Sequence, residues 1–187
     1  MRKLSCILSL FLLCWICWQT VLPEHAWAAK TSTVAMVLLG SLEYQQRDYF
    51  TIAGETLRKR FDEPKYKVII GEHPQHVFNR YSDKQGLAPG AIPPEDTLID
   101  FAWTHSFDRV LFLLMTAPSV KSNEITIQWE NAEVTVTARA IVIDSRRRLK
   151  LSDASTTQTV LMYHRSAAKK AVFQKAVEAL RDQITLS

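Results

Sequence analysis

The chain has 187 residues, 47% of them hydrophobic and 22% charged, with a formal net charge of +4. Its three cysteines, Cys6, Cys14 and Cys17, all precede residue 18. The remainder therefore has no thiol for a disulfide framework, a cysteine–zinc site or thiol catalysis, and its length fits one domain of ordinary size.

The first thirty residues have the parts of a secretory signal peptide in the usual order. Arg2 and Lys3 form a short positive region. Leu4 to Trp18 is an apolar stretch broken only by Ser5 and Ser9, and a more polar segment with Pro23 follows. Ala26-Trp27-Ala28 places small residues at the −3 and −1 positions of a cleavage site before Ala29. The apolar stretch is shorter than the ~20 residues a transmembrane helix needs, so a retained anchor is the alternative and cleavage the expectation. No cysteine has a good lipobox: Leu13 precedes Cys14, Ile16 precedes Cys17, and Cys6 comes before most of the apolar stretch. The expectation is a signal peptide over 1–28 and a single exported domain over 29–187, periplasmic or extracellular, unlipidated and without stable membrane insertion. Losing Arg2, Lys3 and Glu24 lowers the net charge from +4 to +3. That mild excess excludes the electrostatic footprint of a nucleic-acid binder.

Thr33 to Gly40 is a continuous apolar run ended by glycine, the pattern of a strand buried on both faces. Ser41 to Asp48 reads as a loop. From Tyr49, Phe50, Ala53, Leu57 and Phe61 recur at helical spacing, and Asp62-Glu63-Pro64 stops the helix. Tyr66 to Ile70 is the second strand. Pro74 opens a short helix, and Gly86, Pro89, Gly90, Pro93 and Pro94 mark a loop. Pro94-Glu95-Asp96 begins a further helix, whose inner face is read as Leu98, Ile99, Ala102, Trp103 and Ser106 or Phe107, placing Trp103 in the core. Arg109 to Met115 is a third, central strand.

The pattern then changes to alternation. Ile125, Ile127 and Trp129 form one run and Val134, Val136, Ala138, Ala140 and Val142 another, with Glu130-Asn131 as the turn between them. Asp144-Ser145-Arg146-Arg147 makes a second turn. Leu149 and Leu151 continue a strand, and Thr157 to Tyr163 suggests one more. These strands are expected to be antiparallel with one wet face. Ser166 is read as the N-cap of a last helix with the stripe Val172, Ala176, Val177 and Leu180. The fold class is α/β (an α+β mixed sheet): β-α-β-α-α-β, an antiparallel meander, then a C-terminal helix, with helices packed on one mixed sheet.

Three stretches carry a family resemblance: Val34 to Phe61 followed by Tyr66 to Gly71; Asp100 to Leu114, a helix leading into a buried strand; and Thr137 to Leu151, a long antiparallel strand and turn. Together they resemble a group of bacterial envelope domains comprising the curli secretion-channel protein CsgG, the penicillin-binding-protein activator LpoB and the N-terminal domain of TolB. The turn Ser145-Arg-Arg-Arg148 lacks the glycine of that group. The resemblance implies a non-enzymatic role in binding or assembly at the cell envelope.

The chemistry-bearing clusters are few. Glu72, His73 and His76 are a candidate metal set, since histidines three apart on a helical turn can share an ion. They define the alternative reading, a small exported metal-binding protein or hydrolase. No Gly-x-Ser-x-Gly elbow, Walker loop or Gly-x-Gly-x-x-Gly occurs, so no cofactor is expected. Arg146, Arg147, Arg148 and Lys150 form the only dense basic cluster. An exposed aromatic beside a basic turn combines an anchor with electrostatic steering. Trp129, Arg146, Arg147 and Arg148 are therefore the candidate contact residues. The expected partner is an envelope protein or, by self-association through a sheet edge, a second copy of the chain.

Overall fold

A computed structural model describes residues 31–61, 64–126 and 129–186, with side chains described outside 122–130. The predicted signal segment lies outside the described residues. Thr31–Ser187 is one compact unit. Among the described residues six strands and four α-helices follow one another: β1 (Ser32–Gly40), α1 (Arg47–Arg58), β2 (Tyr66–Ile69), α2 (Glu72–Lys84), α3 (Glu95–Thr104), β3 (Arg109–Met115), β4 (Ser119–Thr126), β5 (Trp129–Asp144), β6 (Leu149–Met162) and α4 (Arg165–Gln183). A single 3-10 turn, Leu42–Gln45, occupies the expected loop between β1 and α1.

The strands form one mixed sheet. β1 pairs in parallel with β2 and with β3, and β3 pairs antiparallel with β5. β5 is long enough to serve two neighbours on one edge: β3 runs along Ala138–Asp144 and β4 along Trp129–Thr135. β6 takes the other edge of β5 from Ala132 to Asp144.

Side-chain parity sorts the sheet into two cores. Val34, Met36, Leu38, Leu111, Leu113 and the even-numbered residues Ala132 to Val142 of β5 face α1 and α4, meeting Phe50, Leu57, Phe173 and Val177. Ala35, Val37, Leu39, Val110, Phe112 and Leu114 face the opposite way and meet Phe78 of α2 and Leu98 and Phe101 of α3. The apolar run of β1 is thus explained: from Val34 to Gly40 every residue is buried, because helices cover both faces. β1 must end in glycine. Gly40 has φ of +86°, and a Cβ there would stand 2.2 Å from the Met115 carbonyl oxygen, which the Ser41 N–H needs as acceptor.

Several expectations are corrected. Glu130 and Asn131 are not a turn; they lie in β5, opposite Glu124 and Asn123, and Thr126 is paired with Trp129. Leu149 to Met162 is one strand rather than two, with a register shift between Val142 and Ile143 of its partner absorbing an extra residue. The helix opened near Pro74 is 13 residues long. Its proline sits in the first turn, where the missing N–H has no intrahelical partner to lose. Ser166 is inside α4, and His164 occupies the N-cap position without a side-chain hydrogen bond.

Candidate functional site

The β5–β6 turn is built by Asp144. This buried carboxylate accepts the backbone N–H groups of Arg146 and Arg147 at 3.0 and 2.9 Å, closing the turn on itself. Arg148 then takes φ of +54°, the position that glycine would fill. A non-glycine residue there costs roughly 1 kcal/mol. The side chain offers an offset of similar size: its guanidinium lies 4.1 Å over the Trp103 ring, a cation–π contact worth ~0.5–1 kcal/mol at an exposed site. Its Nη2 is 3.9 Å from Asp100.

Each arginine of the turn reaches back to the body. Arg146 Nη2 donates to Asp108 Oδ1 at 2.6 Å. Asp108 in turn accepts the Thr33 N–H and hydroxyl through Oδ2, both at 2.9 Å, so the starts of β1 and β3 and the turn share one carboxylate. Arg147 is a looser partner of Asp144, at 4.0 Å. Lys150 donates to Glu95 of α3 at 2.8 Å and to Asp153 at 3.1 Å. Arg139 grips Asp153 with two hydrogen bonds, which with Lys150 hold its carboxyl down at about 2. The side chains of Arg146, Arg147 and Arg148 remain 66%, 75% and 50% exposed. Exposed pairs of this kind contribute ~0–1 kcal/mol and exchange partners readily.

Trp103 is the main correction at this surface. It is 52% exposed, not a core residue. Five positions past Leu98 is about 140° around a helix, away from the stripe of Leu98, Phe101 and Ala102. Trp129, by contrast, begins β5 while the arginine turn follows its end. Fifteen residue steps at ~3.3 Å place them about 50 Å apart along the strand. Its side chain is outside those described. The structure therefore separates Trp129 from Arg146, Arg147 and Arg148, and Trp103 is the tryptophan beside Arg148.

Behind Asp100 the surface continues into a groove of 520 Å³ between α2 and α3, lined by Arg80, Tyr81, Lys84, Asp100 and His105 among others. Tyr81 donates to Asp100 Oδ2 at 2.7 Å; burial first, then this bond, pushes its hydroxyl up to about 12. It stays protonated, and so a donor, at physiological pH.

The alternative site is placed differently. His73 and His76 are exposed on the first turns of α2, while Gln75 and Phe78 point inward. Gln75 docks the helix on β1, its amide accepting from Leu38 N at 2.9 Å and donating to Leu38 O at 3.0 Å. Among the described residues, no group of three or more His, Cys, Asp or Glu side chains gathers in a way that could hold a metal. His105 Nδ1 lies 2.8 Å from the Phe101 carbonyl oxygen, Asp108 holds Thr33 and Arg146, and His164 heads α4. Among the described residues no helix is long and apolar enough to cross a membrane.

No family model and no curated protein matches the chain. Solved structures similar to it include the lipoprotein GNA1162 from Neisseria meningitidis, at 18% identity over 83% of this chain and 99% of that one, with a TM-score of 0.46. The PelC dodecamer from Paraburkholderia phytofirmans matches at 16% identity over 84% and 91%, with a TM-score of 0.43. The LpoB C-terminal domain from Salmonella enterica matches at 10% identity over 75% and 90%, with a TM-score of 0.35. LpoB is also one member of the group that the sequence resembles.

Proposed function

We propose that the chain is an exported, non-enzymatic binding domain of the bacterial cell envelope. Its contact surface is Trp103 with Arg146, Arg147 and Arg148, and its partner is a protein. The observation that carries the reading is the Arg148–Trp103 stack: it holds a large aromatic side chain half in solvent, beside two further exposed arginines. A fixed aromatic supplies contact area at little entropic cost, and the arginines steer an acidic surface toward it. The ion pairs to Asp100, Asp108 and Asp144 orient these arginines without burying them, so a partner's carboxylates can compete for them.

The test is co-purification from envelope extracts with the tagged chain. Charge reversal at all three arginines and, separately, Trp103→Ala should each remove the same partner band while leaving the circular dichroism spectrum unchanged. Undiminished recovery with both folded variants would remove this surface from the account.

A further inference from the structure

β6 is an edge strand of an unusual kind. Among the described residues it pairs with β5 alone, which leaves its outer row of N–H and C=O groups open. Folded proteins blunt such edges with short length, charge, proline or bulges. β2, at the far side of the sheet, is blunted in this way: it has four residues and carries Lys67. β4 is interrupted by Lys121 and Glu124. β6 has 14 residues, and from Ala154 to Tyr163 the sequence Ala-Ser-Thr-Thr-Gln-Thr-Val-Leu-Met-Tyr contains no charge, proline or glycine.

Apolar side chains are exposed near both ends of this strand: Leu161 and Met162 are 62% and 38% exposed, and Leu149 is 51% exposed. On the helix-facing side, Leu151, Ala154 and Val160 pack on the core but are only half buried. Their positions are related by one centre. Ala154 and Val160 are equally far from Thr157, and so are Ser155 and Thr159.

We propose that β6 pairs antiparallel with β6 of a second copy of this chain, about a two-fold axis at Thr157. Residues opposite each other in an antiparallel pair share a face. Thr157 then meets Thr157 and Ser155 meets Thr159. This extends the hydroxyl ladder that already joins Thr135 to Thr159 at 2.8 Å and Thr137 to Thr157 at 3.0 Å. On the other face Ala154 meets Val160, which completes the covering of both. At each end Asp153 and Ser152 of one copy come beside Leu161 and Met162 of the other, so the same contact occurs twice, as an isologous interface requires. Ala154 to Val160, the run that pairs with its own image, carries no charge to oppose it. The interface is separate from the Trp103 surface and does not depend on the proposed function.

The mature chain is expected to be cysteine-free, which makes the register testable by disulfide trapping. In the chain from Ala29 onward, Thr157→Cys should give a covalent dimer in high yield on mild oxidation, because its two copies face each other across the axis. Ser155→Cys and Thr159→Cys should each give at least tenfold less alone and should trap a dimer when mixed. By sedimentation the unmodified chain should dimerise, and Thr157→Lys, which opposes two ammonium groups at the axis, should weaken that association at least tenfold with an unchanged thermal midpoint. A monomer throughout the accessible concentration range would overturn the proposal. So would equal trapping at all three positions, undiminished association of Thr157→Lys, or an edge that takes up an extended peptide of another protein while the chain itself stays monomeric.

Discussion

The parallel and antiparallel halves of the sheet solve the burial problem in opposite ways. β1 and β3 have helices on both faces, so nearly every side chain is apolar and sealed. Along much of β5 and β6 only one face has a helix. There Val134, Val136, Ala138 and Ala140 are buried while Thr137 and Arg139 between them are exposed, and no residue of β6 is fully buried. Stability should therefore be concentrated in the parallel half, and the surfaces that meet other molecules in the antiparallel half. The Trp103–arginine surface lies where the two meet, at the turn that fastens β5 and β6 to α3.

That contrast can be broken by substitution. The largest effect belongs to Phe112→Ala, at a fully buried position among Phe78 and Phe101. It should cost ~3–5 kcal/mol in denaturant unfolding. Thr137→Ala, across the sheet on the wet face, should stay within ~0.5 kcal/mol. Comparable losses at the two positions would contradict the division. Gln75→Leu should cost ~1–3 kcal/mol in the same measurement, since it leaves the buried Leu38 N–H and carbonyl without their shared partner.

The smallest effect is a pH dependence in the antiparallel half. The Arg139 hydrogen bonds, aided by Lys150, lower the Asp153 pKa from an ordinary 3.8 to about 2 in the folded chain. A depressed folded-state value stabilises the fold above the unfolded pKa, and that contribution is lost as pH falls from about 4 toward 2. Thermal midpoints of the unmodified chain and Asp153→Asn should differ modestly at pH 6, and the gap should narrow as pH falls below about 4 and close only below about pH 2. A gap that persists at low pH would mean that the ion pairs are not its source.

The two halves were also unequally legible in the sequence. Sealed strands announce themselves: Arg109–Met115 has the bounds its apolar run predicts, and β1 ends at the glycine that the Met115 carbonyl demands. The wet half is less explicit. Ser155 to Gln158 presents polar side chains to both faces, so β6 reads as two fragments, and Glu130-Asn131 carries turn-forming residues within a strand. The Arg146–Arg148 turn was readable from its composition, but its left-handed residue was hidden because arginine, not glycine, occupies it. Trp103 was readable in principle, since its helical angle from Leu98 already excludes the core. Arg148, which stacks on it, also approaches Asp100, to which Tyr81 donates; these three come from separate segments that only the folded chain brings together.

The central claim is that the parallel half is the sealed half and the antiparallel half the one that meets other molecules. Residue-resolved amide hydrogen exchange of the mature chain, at dilute and at high protein concentration, tests it most directly. The account predicts that β1 and β3 exchange only through global unfolding when dilute, whereas the amides of Ala154–Met162 exchange faster when dilute and slow markedly as concentration rises. Fast exchange in β1, or β6 exchange independent of concentration, would contradict it.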